Sequence, residues 1–231
     1  METILECKGL SHKYGKKEVL SDISFNVNAG KIVGLFGPNG SGKTTLIKLI
    51  TGMICDKEKC ITVCGNVVGE KTKCIVSYSP DRVSYRKESK VGELLDMYGL
   101  MYEDFDRERA KKNLDVLKIN LPDLVGKLSK GNAEKLQIVL TMSRKAKLYV
   151  LDEPFNGVDP VSKESIIKIM LEMMTDDSSL IISTHQIGEI EQMLDEAIFI
   201  KDGNILFHKS VEDIRSETGK SLADTYMGEY R

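Results

Sequence analysis

Apolar and polar positions alternate through the first 30 residues. Ile4-Leu5-Glu6-Cys7, and Val19-Leu20 onward through Ile23, Phe25 and Val27, predict half-buried strands. Lys31-Ile32-Val33-Gly34-Leu35-Phe36 is closer to an unbroken apolar run and predicts a buried strand. Leu46, Ile47, Leu49, Ile50 and Met53 then recur with helical spacing, and Gly52 is placed to stop that helix. Ile61-Thr62-Val63 before Gly65 adds a strand, so the N-terminal region predicts a small antiparallel sheet. From about Val91 to Ala146 the period turns helical. Ala110, Leu114 and Leu117 share one face, and Leu136, Val139, Leu140 and Ser143 another, with Pro122 and Gly126 breaking the segment between them. The strand pattern returns in Leu148–Leu151 and Leu180–Ile182, short apolar runs suited to a parallel sheet buried on both faces. Ile166, Ile169, Met170 and Met173 mark a crossover helix, its methionines reading as core filler. Ala197–Ile200 and Ile205–Phe207 flank Asp202-Gly203 as a hairpin.

The turn after the first buried strand carries the most informative residues of the chain, Gly37-Pro38-Asn39-Gly40-Ser41-Gly42-Lys43-Thr44-Thr45. They fit G-x-x-x-x-G-K-[ST], a loop that cradles nucleotide phosphates. Glycines let successive N–H groups turn inward as an anion nest, and the following helix aims its positive end at the same anion. Lys43 would reach the β- and γ-phosphates, and the Thr44 hydroxyl would hold Mg²⁺. The strand before and the helix after the loop make an ordinary glycine-rich turn a poor description.

Two further strand ends point to the same site. Leu148-Tyr149-Val150-Leu151 ends in Asp152-Glu153, and strand ends beside such a loop are where doubly wound sheets bind ligands. Asp152 would orient Mg²⁺ and Glu153 would act as general base or polariser of the attacking water. A carboxylate pair at a strand end is weak alone, because turns favour Asp; the loop gives it meaning. His185, after Leu180-Ile181-Ile182-Ser183-Thr184, would sit at the same edge and could hydrogen-bond the γ-phosphate and the water held by Glu153. His12 and His208 have no such setting. The fold expected is therefore α/β: a P-loop NTPase core with a mixed, largely parallel sheet, an N-terminal antiparallel β subdomain and an inserted helical subdomain. Residues 1–84 and 147–231 would form the core and residues 85–146 the helical part of a single domain.

Composition changes this picture little. The 231 residues are 41% hydrophobic and 29% charged, with a formal net charge of −2, which argues against a nucleic-acid binder. No apolar run approaches membrane-spanning length, and Met1–Cys7 lacks a secretory layout, so a cytoplasmic chain is expected. The five cysteines read as free thiols. Cys55, Cys60, Cys64 and Cys74 cluster in sequence, but without C-x-x-C pairs or a nearby histidine they make a poor metal site.

With these residues in place, the chain resembles the nucleotide-binding subunit of an ABC (ATP-binding cassette) transporter from about Ile4 to Tyr226. The most specific likeness is Leu128-Ser129-Lys130-Gly131-Asn132, which is similar to the family's L-S-G-G-Q signature. Ser129 at a helix N-terminus and the Gly131 N–H would suit a phosphate, although a plain Ser N-cap explains the pentapeptide by itself. The resemblance implies further roles. Tyr14 would stack on adenine, Asp159 in Asn156-Gly157-Val158-Asp159 would lie in a loop at a dimer interface, and His185 matches a switch histidine. Asp81, after Tyr78-Ser79-Pro80, replaces a glutamine that touches Mg²⁺ and water and whose loop couples to the membrane subunit. Asn132 departs from the signature glutamine, and Lys135 stands where many members have arginine.

The resemblance also implies that two cassettes, as a homo- or heterodimer, pair head to tail around two ATP and drive a separate integral membrane permease. The chain would then lie peripherally on the inner face of the cell membrane. The short form most resembles cassettes of small bacterial exporters for peptides, drugs or other small compounds. Two other classes remain: a soluble ABC ATPase acting on nucleic acid or ribosomes, and a non-hydrolysing regulatory or immunity cassette. The first usually carries two cassettes or a long coiled-coil insertion, which are not visible. The second is disfavoured by intact Lys43, Asp152, Glu153 and His185.

Overall fold

A computed structural model of the chain describes residues 2–82 and 85–230. Two sheets share the chain, as the alternation predicts. β1 (Thr3–Tyr14) and β2 (Lys17–Asn28) form a long antiparallel pair. The sheet is completed by β4 (Ile61–Val63) and β5 (Asn66–Val67), in the order β2-β1-β4-β5. Between them in sequence come β3 (Ile32–Phe36) and α1 (Lys43–Ile50). The short α2 (Glu70–Lys73) then leads to β6 (Val76–Ser79). The helical stretch resolves into α3 (Val91–Met101), α4 (Arg107–Val116), a single 3₁₀ turn at Val125–Lys127 and α5 (Lys130–Met142). β7 (Leu148–Asp152), α6 (Pro160–Met173), β8 (Ser179–Ser183) and α7 (Ile187–Ile190) follow. The hairpin β9 (Glu196–Lys201) and β10 (Asn204–Ser210) precedes α8 (Val211–Thr218) and α9 (Leu222–Glu229).

The second sheet has the order β10-β9-β3-β8-β7-β6. All its neighbours run parallel except β10, which pairs antiparallel with β9. β3, β7 and β8 are buried at every position, which explains their unbroken apolar runs. Successive side chains serve two cores. Phe36, Leu151, Leu180, Ile182 and Phe199 pack on the α6 side with Ile166, Ile169 and Met170. Leu35, Val150, Ile181 and Ile198 pack on the other, against Leu46, Ile47 and Ile50 of α1 and the antiparallel sheet. Each of those fully buried α1 side chains contributes about 1.5–3 kcal/mol relative to exposure.

Local chemistry fixes the helix starts. Ser129 Oγ accepts from the Asn132 N–H, Asp159 Oδ1 from the Ser162 N–H with Pro160 at the first helical position, and Ser221 Oγ from the Asp224 N–H. Helix α5 is buried on nearly all sides from Lys135 to Met142, because it is clasped between the sheet edge and the other helices. No described helix is long and apolar enough to cross a membrane.

This topology positions the site. The turns after β3, β6, β7 and β8 all leave from the same carboxyl edge of the parallel sheet. They carry residues 37–45, Asp81, Asp152-Glu153 and Thr184-His185 respectively.

Candidate nucleotide site

The loop between β3 and α1 needs glycine where the sequence has it. A Cβ on Gly37 would lie 2.2 Å from the Ile200 carbonyl oxygen, so the backbone could not pass there with any other residue. Gly42, at the N-terminus of α1, adopts φ 111°, and a Cβ there would sit 2.6 Å from Leu20 Cδ2. Ser41 is buried, and its N–H donates to the Pro38 carbonyl. Lys43 is buried as well. Its ammonium donates to the carbonyls of Gly37 (2.6 Å) and Pro38 (3.0 Å), folded across the loop it belongs to. Burial lowers its pKa, and the nearby Glu153 and Asp152 carboxylates oppose that shift.

A cavity of about 600 Å³ opens over this loop. Asn39, Gly40, Gly42, Lys43, Thr44 and Thr45 line one side, and Asp81, Asp152 and Glu153 the other. Lys17, Glu18 and Val19 of β2 and the turn Asp202-Gly203 close it. Asp152 is buried at the end of β7, opposite Ser183 in the parallel register, and its Oδ1 accepts from the Ser183 hydroxyl. Burial raises the Asp152 pKa and the neighbouring Glu153 and Asp81 carboxylates add to the rise, while the hydroxyls of Ser183 and Thr44 oppose it.

Glu153 follows in a left-handed conformation, φ 50°, unusual for a residue with a side chain and typical of strained functional turns. Its N–H donates to the Ser183 carbonyl, which keeps it at the sheet edge. Glu153 Oε2 lies 2.9 Å from His185 Nδ1, so the residues after β7 and β8 meet side chain to side chain. A neighbouring cavity of about 420 Å³ shares Asn39, Asp81 and Glu153 with the first and adds Gly37, Pro38, Asn156, His185 and Tyr226. Glu153 is thus in a wall common to both.

The remaining sequence candidates sit elsewhere. Tyr14 ends β1 and is half exposed, its ring edge-on to His12 at 4.9 Å, and it does not line the cavity. Ser129 is exposed at the start of α5 and Gly131 packs beneath, where a Cβ would meet the Gly157 carbonyl at 3.2 Å. Neither lines the loop's cavities. Asp159 caps α6 and lies 3.8 Å from Lys135 Nζ. Asp81, unlike these, lines both cavities, and is half exposed beside Arg82.

Two contributors carry no local signal in the sequence. Gln137 Nε2 donates to Ser79 Oγ (2.5 Å) and to the Pro80 carbonyl (2.6 Å), tying the middle of α5 to the segment that presents Asp81. Tyr226 arrives from the C-terminal helix. A signal for that helix exists in the Ser221…Asp224 capping pattern, but not for where its aromatic faces.

Comparison with known proteins agrees with this geometry. The family model described as ABC transporter matches residues 20–156. An uncharacterised ABC transporter ATP-binding protein of Methanocaldococcus jannaschii is 30% identical over 220 residues, covering 93% of this chain and 80% of the relative. The lipopolysaccharide export system ATP-binding protein of Haemophilus influenzae is 28% identical over 238 residues, covering 98% of each. Among solved structures, an ATP-binding subunit of an ABC transporter superimposes with a TM-score of 0.88 at 29% identity, covering 98% of this chain and 99% of that one.

Proposed function

The chain belongs to the ABC transporter family, as an ATP-binding subunit whose hydrolysis of ATP is coupled to transport, and from that premise we propose a role for each residue of the site. Residues 37–45 bind the ATP phosphates through backbone N–H groups and the N-terminus of α1. Lys43 exchanges the Gly37 and Pro38 carbonyls for the β- and γ-phosphates, whose charge further offsets the burial that lowers its pKa. The oxygen donors at this edge fit Mg²⁺: the Thr44 hydroxyl with the Asp152 and Asp81 carboxylates, and no sulfur or imidazole among the described residues lining the larger cavity. When bound, Mg²⁺ neutralises charge on the β- and γ-phosphates. The exposed ring of Tyr14 stacks on adenine, worth about 1–3 kcal/mol.

Glu153 takes the proton of the attacking water as its oxygen bonds to the γ-phosphorus and the bond to the ADP oxygen breaks. His185 holds the Glu153 carboxylate in place and hydrogen-bonds the γ-phosphate. The exposure of Ser129, outside the two phosphate-loop cavities described, supports a head-to-tail pair in which Ser129 and Gly131 cap the γ-phosphate held by the other cassette. ATP then favours the closed pair, and hydrolysis releases it. The motion passes to separate membrane permease subunits, which hold the chain at the inner face of the membrane. The name of the lipopolysaccharide export relative favours export, here of a peptide, drug or other small compound.

The observation that carries this reading is the 2.9 Å contact of Glu153 with His185 in the wall of the phosphate-loop cavity. Replacing Glu153→Gln tests it. Binding of a fluorescent ATP analogue is expected to persist while turnover falls by about a hundredfold or more. Turnover at the wild-type rate would remove Glu153 from its role.

A further inference from the structure

The C-terminal helix is fastened at both ends, and its middle reaches the hydrolysis site. At its start, Glu191 Oε1 accepts from the Leu222 N–H (3.1 Å) and is itself held by Arg215 Nη2 (2.8 Å). Beyond its end, the Tyr230 hydroxyl donates to the Ile200 carbonyl at 3.0 Å. That carbonyl is the same one against which Gly37 packs with no room for a Cβ. The phosphate loop and the C-terminal segment therefore rest on a single backbone oxygen. Between the two anchors, Tyr226 is fixed by ring contacts to Tyr230 (4.5 Å) and Phe199 (5.8 Å) and lines the cavity that contains Glu153 and His185.

From this geometry we propose that Tyr226 is a positioning residue of the ATPase site: its ring walls the cavity that Glu153 and His185 also line, and its hydroxyl, without a hydrogen-bond partner among the described residues, donates to Glu153 once the site is loaded. The role rests on the reading of Glu153 as general base. A phenol keeps its proton at neutral pH. Burial, and then the Glu153 carboxylate, raise the Tyr226 pKa further, so the hydroxyl stays a donor. A donor there restrains the carboxylate in the orientation that accepts the proton of the attacking water. Binding of ATP, made through the phosphate loop, does not depend on it.

Tyr226→Phe removes only the hydroxyl, and Tyr226→Leu removes the wall as well. Steady-state ATP hydrolysis and thermal unfolding are measured for both, beside Glu153→Gln. For Tyr226→Phe, kcat is expected to fall about tenfold, the loss typical of a hydrogen bond to a charged group, with KM for ATP and melting temperature unchanged. Tyr226→Leu is expected to lower kcat further. Wild-type kcat in Tyr226→Phe, or a fall in kcat that only follows a fall in melting temperature, would overturn the role. If Glu153→Gln is inactive while Tyr226→Phe is fully active, only the tyrosine's part fails. Full turnover in Glu153→Gln would instead undo the assignment on which it rests.

Discussion

Arg144 is the residue whose removal should cost the fold most for the least change in shape. It stands just after α5 and is almost wholly buried. Its Nε and Nη2 meet the two carboxylate oxygens of Asp104 at 3.0 and 3.1 Å, a bidentate pair. Nη1 donates to the Val76 carbonyl (2.8 Å) and Nη2 to the Cys74 carbonyl (2.9 Å), at the edge strand β6. The guanidinium also lies 4.0 Å from the centre of the Tyr102 ring. One side chain thus joins the end of the helical segment, the α3–α4 connection and the sheet edge.

Arg144→Met keeps much of the apolar stem but leaves a carboxylate and two carbonyls without their donor. Breaking a buried pair by deleting one partner costs about 3–5 kcal/mol. Asp104 retains some solvent contact, its side chain 22% exposed, so the lower end, about 3 kcal/mol, applies here. For a chain of this size that lowers the melting temperature by about 6–12 °C. Thermal unfolding followed by circular dichroism, without nucleotide, measures it. A double change with Asp104→Leu should recover part of the loss, because no charge is then left buried alone. A shift of less than about 2 °C in the single variant would refute the claim that this network secures the junction.

Two other perturbations follow from the site's supports. Gly42→Ala places a methyl 2.6 Å from Leu20 Cδ2 at a left-handed φ, and is expected to cost about 1–3 kcal/mol and to weaken binding of a fluorescent ATP analogue. Gln137→Leu leaves Ser79 Oγ and the Pro80 carbonyl without a donor. It should lower the melting temperature by about 3–6 °C and make the segment bearing Asp81 exchange its amide hydrogens faster, read by hydrogen-exchange mass spectrometry.

What the sequence reveals of this molecule is what is local. The strand β3, the glycine loop and α1 form one contiguous unit whose residues need only their neighbours to be understood. The same holds for the apolar runs of β7 and β8, buried on both faces, and for Asp152-Glu153 at a strand end. β6 escapes the pattern because Val76-Ser77-Tyr78-Ser79 is short and polar. It is a strand because β7 pairs with it, Val76 opposite Leu148. Arg144 and Gln137 escape for the same reason: a buried charged or amide side chain is explained only by carbonyls far along the chain. Tyr226 reads as one more aromatic on a helix until β9 and Glu191 bring it into the cavity that Glu153 also lines. Ser129 is the converse case. Its motif is legible in the sequence, yet within one chain it caps a helix and touches no cavity of the phosphate loop.

The central claim is that each ATP site is completed by a second cassette, and mixing two variants of this chain tests it most directly. Lys43→Ala removes the phosphate loop's ammonium, and Ser129→Arg blocks the α5 N-terminus; each alone should abolish hydrolysis. In a head-to-tail mixed pair, one site carries both defects and the other carries none. ATPase activity is expected to reappear on mixing, up to the fraction of mixed pairs. Two inactive variants that stay inactive together at every ratio, or a Ser129→Arg protein as active as wild type, would contradict it.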